Sequence, residues 1–433
     1  MRRAAVVVLM MLSTAAMAQD GPSQADWDAL NAALKHLETG RYLDAADALR
    51  PLAFDAADQP KRGMFYSQWQ EARTRMTAEP AYPEPEPSTD PDDKALAERL
   101  AAERLAAATP RDAIAEIVAR AAKTRVVILN ENHGLPRDRA FALEVARALR
   151  PLGYSVLAAE TFWNKEDQAP MVLLAKQGYS IRTSGHYTQD PVFGDFVRQS
   201  LAMGYRPYAY EETATEQAPK GASRDESIDR REEAQSTHLG HLLAADPAAR
   251  IFVYVGFSHV TEQPLDRAGK ASTRWMATRL KAKTGIDPLT IDQTSLGRDM
   301  GGSNMLARQA LAAKAPDRSI VLFEGDRPVT VGPYAGAVDL QVYHPPTRMV
   351  KGRPDWLAAM NRKAMAIPVD FVPQKGERLV QAFIASESDD AIPVDQVLVQ
   401  AGKDVPVLLV PGDKPLRLAM QDPASTMTDI SRQ

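Results

Sequence analysis

Cysteine is absent from all 433 residues. Its absence excludes disulfides, thiolate-bound zinc or iron–sulfur centres, a cysteine nucleophile and a lipid on an N-terminal cysteine. A basic excess is missing as well. The 52 Lys and Arg against 56 Asp and Glu give a formal charge of −4, which leaves no electrostatic footprint for a nucleic-acid partner. Histidine is scarce, at 7 residues, so the position of each carries information. Apart from the first residues, no apolar run approaches the ~20 residues of a membrane span. What remains is ordinary globular composition, 45% hydrophobic and 25% charged, with length for two or three domains at ~150 residues each.

Residues 1–18 read as a secretory signal peptide. Arg2 and Arg3 precede an apolar run from Ala4 to Ala16, and Ala16-Met17-Ala18 is a small-x-small cleavage site. The expectation is export by the Sec route, into a periplasm. Residues 19–77 follow as a helical module. Trp27, Leu30, Leu34 and Leu37 fall at helical spacing and Gly40 marks a stop. Tyr42, Ala45 and Ala46 open a second helix, and Phe65 with Trp69 suggests a third. The G-x-Y-x-x-A-A pattern resembles one tetratricopeptide unit, a fold whose arrays need about three repeats for stability. Two readings stand: a hairpin packed on the main domain, or a module that binds a protein partner. Residues 78–93 are rich in proline and acid and read as an extended linker.

From residue 94 to 365 apolar runs alternate with helical stretches. Strands are expected at 125–130, 154–159, 206–210, 250–255, 289–291, 319–323 and 338–343, and the long polar helix at 224–245. Continuous β-branched strands separated by helices predict an α/β fold, with a mostly parallel sheet covered by helices on both faces. Residues 366–433 change to short strands with Gly, Pro and Asp turns, a β-rich appendage.

Ligands of open parallel sheets bind beyond the carboxyl ends of the strands. Glu131, Asn132 and His133 follow the first of these strands, Glu160 the second, Glu211 and Glu212 the third, His259 the fourth and Asp292 the fifth. A carboxylate there can simply cap the next helix, the reading taken for Glu212 and Asp292. Two of the few histidines at equivalent strand ends, beside Glu131 and Glu160, point instead to a site. In one version Glu131, His133, Glu160 and His259 form a mixed shell for zinc, manganese or iron that activates water. In the other a histidine is the general base and a carboxylate fixes its tautomer.

Rival motifs are weaker. Gly256-Phe257-Ser258 follows a strand, but the nucleophile elbow G-x-S-x-G fails at Val260. His238 and His241 share a helix face that reads as solvated, and His344 follows a strand without a geometric link to the others. Arg137 and Arg139 open the first helix of the domain, as anion binders or surface charge. His186, Tyr187 and Asp190 lie in a loop that could wall the site, and Arg231, Glu232 and Gln235 lie on the long helix.

Taken in order, strand–ENHG–helix–strand–E, R-E-x-x-Q on a helix and strand–G-x-x-H resemble the erythromycin esterase, ChaN-type and Tiki group, over about residues 115–295. Members usually read G-E-x-H where this chain has Asn130-Glu131-Asn132-His133. The resemblance implies the fold, the site and a choice of activities. Esterases open a macrolide lactone with a His-activated water, Tiki proteins are metal-dependent peptidases, and ChaN-type proteins are haem-binding lipoproteins. This chain lacks the lipidated cysteine, and its E-x-H spacing is closer to the ChaN type than to the esterases.

The leading expectation is therefore a secreted hydrolase of an ester or amide, with His133 as base or ligand, His259 as its partner, and Glu131 and Glu160 orienting or ligating. The alternative is a periplasmic haem- or iron-binding protein without catalysis, with His133 or His259 as axial ligand. The partner expected is a small-molecule or peptide substrate. A third reading is a catalytically silent adaptor working through the helical module.

Overall fold

The structure is a computed structural model. It describes residues 23–61, 63–78, 92–165, 167–267, 270–296, 305–314, 316–423 and 428–432. The expected signal peptide at 1–18 lies outside the described residues, as does nearly all of the expected linker at 78–93. No described helix is long and apolar enough to cross a membrane.

The strands of the main sheet are β1 (Thr109–Asp112), β2 (Val126–Glu131), β3 (Val156–Ala159), β4 (Arg206–Tyr208), β5 (Ile251–Gly256), β6 (Leu289–Asp292), β7 (Ile320–Glu324), β8 (Arg327–Pro328) and β9 (Leu340–Tyr343). Their order is β1-β7-β9-β6-β2-β5-β3-β4, with β8 paired to β7. From β9 to β4 every neighbour is parallel. β7 runs antiparallel to β9 and to β1, so the β1–β7–β9 side of the sheet departs from the parallel pattern.

The helices are α1 (Gln24–Glu38), α2 (Tyr42–Ala53), α3 (Met64–Thr77), α4 (Asp92–Ala107), α5 (Ala113–Ala121), α6 (Pro136–Leu149), α7 (Ala169–Gln177), α8 (Pro191–Ala202), α9 (Arg224–Ala245), α10 (Met276–Thr284) and α11 (Met305–Ala312). The central strands are apolar throughout because both faces are covered. Successive side chains of a strand point to opposite faces. Val127 and Leu129 of β2 pack with Ile117 of α5, Phe141 of α6 and Phe196 of α8. Val126 and Ile128 pack with Leu239 and Leu242 of α9 and Leu280 of α10. This is the α/β architecture with helices on both faces.

The C-terminal part is an antiparallel sheet of the strands Asp395–Gln400, Glu377–Ile384, Leu416–Gln421 and Thr428–Arg432, in that order. A further pair joins Lys363–Met365 to Leu408–Val410. The tail thus takes in three residues before the expected start at 366. The strand Leu408–Val410 begins only after Pro406, which has no N–H for a ladder.

Helices α1 and α2 form the expected hairpin. Gly40 turns it at φ +75°, and a Cβ there would lie 2.8 Å from Nε of Arg182. Helix α3 completes the module. Its apolar faces do not form an open groove: Leu30, Leu37, Leu43 and Met76 share one core with Leu379, against which Leu398 also packs. Polar bonds reinforce the junction. The amide of Leu43 donates to Oε1 of Gln421 at 3.0 Å, and Nε2 of Gln396 donates to the carbonyl of Arg75 at 2.8 Å. The first and last parts of the chain therefore fold as one body.

Truncating Leu379 to Ala should cost about 2–5 kcal/mol and loosen both ends of the chain. Hydrogen exchange under native conditions should show α2, α3 and the 377–384 strand losing protection together; loss confined to the tail would contradict the shared core.

Candidate functional site

Three adjacent strands, β2, β5 and β3, deliver the site at their carboxyl ends. Glu131 ends β2 in register with Gly256, which ends β5. Glu160 follows β3, and its amide donates to the carbonyl of Tyr254 at 3.0 Å. Gly256 lies between the two acidic residues, and its lack of a side chain lets them meet. A Cβ on Gly256 would lie 2.5 Å from Cε1 and Nε2 of His133 and 3.0 Å from Oε2 of Glu160. Its amide donates to Oε2 of Glu160.

His133 is turned over this point by a local bond, the amide of Gly134 donating to Oδ1 of Asn132 at 2.9 Å. Nδ1 of His133 lies 2.8 Å from Oε1 of Glu131. Glu131 is in turn locked by Arg139, whose Nε and Nη2 donate to its two oxygens at 2.9 and 3.2 Å. Nη2 of Arg139 also donates to the carbonyl of His133 at 2.8 Å, and Nη1 lies 3.4 Å from Oδ2 of Asp190. Glu131 is 2% and Arg139 1% exposed. The His133 ring stacks on Tyr187, with centroids 3.9 Å apart and planes 11° apart, and meets Phe257 edge-on at 5.2 Å. Phe257 takes φ +40°, a strained turn held in part by Nδ2 of Asn130, which donates to its carbonyl at 3.0 Å.

His259 is built in parallel. Its Nδ1 lies 2.8 Å from Oε1 of the fully buried Glu232, which also accepts the amide of Met276 at 2.7 Å. Its Nε2 lies 3.7 Å from Oε1 of Glu160 and 3.4 Å from Nη1 of Arg231. Arg231 donates to Glu160 at 2.5 Å and to both oxygens of Glu211 at 2.9 and 2.7 Å, and Gln235 donates to Glu211 at 2.5 Å. The R-E-x-x-Q row of α9 is thus a wall of the site.

The charges follow from these contacts. Burial alone would raise the Glu160 carboxyl, but Arg231 and the two imidazoles outweigh it and hold it down at about 2. Burial likewise opposes Glu131, and Arg139 with His133 still keeps it below the usual carboxylate range. Burial would lower His259; Glu232 and Glu160 reverse the sign and raise it. Burial and the surrounding carboxylates keep the Tyr187 phenol neutral, well above its ordinary value.

The four expected residues, Glu131, His133, Glu160 and His259, therefore converge. They do not converge as a metal shell: among the described residues no group of three or more His, Asp or Glu is placed to hold a metal ion. The carboxylates are spent on Arg139, Arg231 and a backbone amide, both Nδ1 atoms are spent on carboxylates, and two guanidiniums sit where a dication would be repelled. For a haem the surroundings are mixed: the His133 ring lies between Tyr187 and Phe257. The groups around the Nε2 atoms are Glu160, Arg231 and the Gly256 backbone, whereas haem needs an apolar slot.

Other residues singled out in the sequence fall elsewhere. Arg139 is buried scaffolding and neither an anion binder nor surface charge, and Arg137 donates to the carbonyl of Pro345. Ser258 bonds the Tyr334 hydroxyl at 2.9 Å and no histidine. His238 bonds Glu216 at 3.0 Å, and His241 is exposed. His344 is buried between Ser319 and Gln293, at 2.8 and 2.9 Å. Asp292 anchors the loop after β6, accepting the Thr294 amide at 2.9 Å. Glu71 and Arg75 of α3, beside His186, were not foreseen. At i, i+4 on a helix they read as a surface pair, and only the tertiary fold buries them.

No family model matches the chain, and no curated protein does. Solved structures give faint likenesses. A Campylobacter jejuni ChaN, described as binding haem cofacially, is 9% identical with a TM-score of 0.31, over 42% of this chain and 85% of that one. The Vibrio vulnificus toxin effector domain RRSP is 14% identical with a TM-score of 0.30, over 57% of this chain and 54% of that one. The C-terminal region of Pasteurella multocida toxin, described as carrying a thiol-protease-like triad, is 10% identical with a TM-score of 0.30, over 75% and 52%. This chain spans about half the length of those two toxin chains, and it has no cysteine for a thiol triad. None of these likenesses defines a family. What fold and site define is an α/β protein with two carboxylate-backed histidines at the strand ends.

Replacing Arg139 by Met strands Glu131 and should cost about 3–5 kcal/mol, read as a lowered Tm. Glu160 is held below its unfolded value, so it contributes stability above about pH 4.5 that is lost as pH falls through about 2. In Glu160→Gln the fall of Tm over that acid range should be shallower; an unchanged acid slope would contradict the ion pair with Arg231.

Proposed function

We infer that this protein is a hydrolase that cleaves an ester or amide with a water activated by His133, without a metal. The observation that carries the reading is the Arg139–Glu131–His133 row. A carboxylate on Nδ1 fixes the tautomer, leaves Nε2 as the base, and stabilises the imidazolium that forms.

In this reading a water between His133 and Glu160 loses a proton to Nε2 of His133 as its oxygen bonds to the carbonyl carbon. The carbonyl π pair moves onto oxygen. Arg231, partly open to solvent, and protonated His259 face that oxyanion. The intermediate then collapses, the bond to the leaving group breaks, and His133 returns its proton to the departing oxygen or nitrogen. Glu160, ionised across the working range, steadies the positive charge on both imidazoles. The substrate class is a small molecule or peptide with a carbonyl ester or amide. The Arg2-Arg3, apolar-run and Ala16-Met17-Ala18 pattern supports an exported setting.

A panel of 4-nitrophenyl esters and aminoacyl anilides, assayed in excess chelator, tests this. Turnover should survive the chelator and fall about 10²–10⁴-fold in His133→Ala. With His259 acting in its charged form, the rate should fall as pH rises through its raised value, and His259→Gln should remove that alkaline limb. Turnover that needs added metal would overturn the reading. So would the absence of turnover together with a Soret band on haem addition that His133→Ala abolishes.

A further inference from the structure

The outer wall of the site joins two distant parts of the chain. Tyr187, whose ring covers His133, belongs to the short turn Tyr187–Gln189. One flank of this turn is tied to the sheet, with the Tyr187 amide donating to Oγ1 of Thr161 at 2.8 Å. The other flank is tied to the helical module. Nη1 of Arg75 donates to Oε1 of Gln189 at 2.9 Å, and the Tyr42 hydroxyl of α2 donates to the Gln189 carbonyl at 2.8 Å. Nε2 of His186 lies 3.3 Å from Nη2 of Arg75 and 3.3 Å from Oε1 of Glu71, which itself pairs with Arg75. His186 meets Tyr187 edge-on at 5.0 Å.

Glu71, Arg75 and Gln189 are all buried. A buried ion pair is a poor way to gain stability, because desolvation consumes most of its Coulomb energy. Packing a helix on a sheet does not require one: the core of this junction is apolar, with Leu30, Leu37, Leu43 and Met76 against Leu379. The pair faces the turn that carries Tyr187.

We propose that the helical module is a working part of the site: Glu71 and Arg75 fix the 186–189 turn, and the turn holds Tyr187 flat on His133. The proposal rests on the hydrolase reading. Tyr187 is a positioning residue. Its flat face confines the imidazole to one orientation over Gly256.

The test uses the full chain and two readouts, the Cε1–H proton resonance of His133 and steady-state kinetics on 4-nitrophenyl butyrate. The variants are Tyr187→Phe, Tyr187→Leu and Glu71→Gln with Arg75→Gln, a double change that leaves no charge stranded. Tyr187→Phe should keep the ring-current shift of His133 and the wild-type kcat. Tyr187→Leu should abolish the shift and lower kcat about tenfold to a hundredfold, with KM little changed. The double variant should move the resonance part of the way and lower kcat about tenfold. A His133 resonance that does not move in the folded double variant overturns the proposal. In a protein that His133→Ala silences, an unchanged kcat in Tyr187→Leu overturns it as well, and that variant carries the test if the double variant does not fold. If His133→Ala stays as active as the wild type while the resonance moves as expected, the hydrolase reading fails and the tie between module and His133 stands.

Discussion

Everything around His133 depends on one buried ion pair, Arg139 with Glu131. The guanidinium spans both carboxylate oxygens, the His133 carbonyl and Asp190. It therefore ties the end of β2, the first turn of α6 and the cap of α8 to a single cation. Such a pair adds little net stability, because both charges leave water. Its effect is specificity of arrangement. Glu131 stays ionised in a site with almost no solvent, and an ionised Glu131 leaves His133 a single tautomer.

The second dyad repeats this logic with different parts. Glu232 is fully buried on α9 and also holds the first turn of α10 through the Met276 amide. His259 is consequently set by the packing of two helices, as His133 is set by a strand and a helix. Gly256, where a side chain would collide with His133 and Glu160, keeps the two halves in contact. The site is thus a product of strand order: β5 had to lie between β2 and β3, and had to end in glycine.

Much of this could be read from the residues alone. Apolar runs such as RVVILN and RIFVYV predict covered strands because a strand buried on both faces has no polar alternation. The rule of strand ends then picks out Glu131, His133, Glu160 and His259, which do meet. The sequence is silent where the answer depends on which parts touch. Arg139 looks like any helix-opening arginine until Glu131 and Asp190 close on it. Glu71 and Arg75 sit in a module separated from the site by a proline-rich stretch, and nothing local says that the tail sheet folds the module back onto the 186–189 turn. The antiparallel β7 edge is hidden for the same reason, since a short apolar strand reads alike in either direction. A metal shell was a fair expectation from donor types; the guanidiniums that occupy those donors come from α6 and α9, and their reach is a matter of packing.

The central claim is that His133 keeps its proton on Nδ1, toward Glu131, and offers a bare Nε2 beside Gly256 and Glu160. Nitrogen-15 spectroscopy of histidine-labelled protein, with His133→Ala for assignment and at a pH where the ring is neutral, reads this directly. The account predicts a protonated Nδ1 and an unprotonated Nε2 whose shift is the same with and without chelator. A proton on Nε2, or a metal-shifted Nε2 signal that chelation removes, would contradict it.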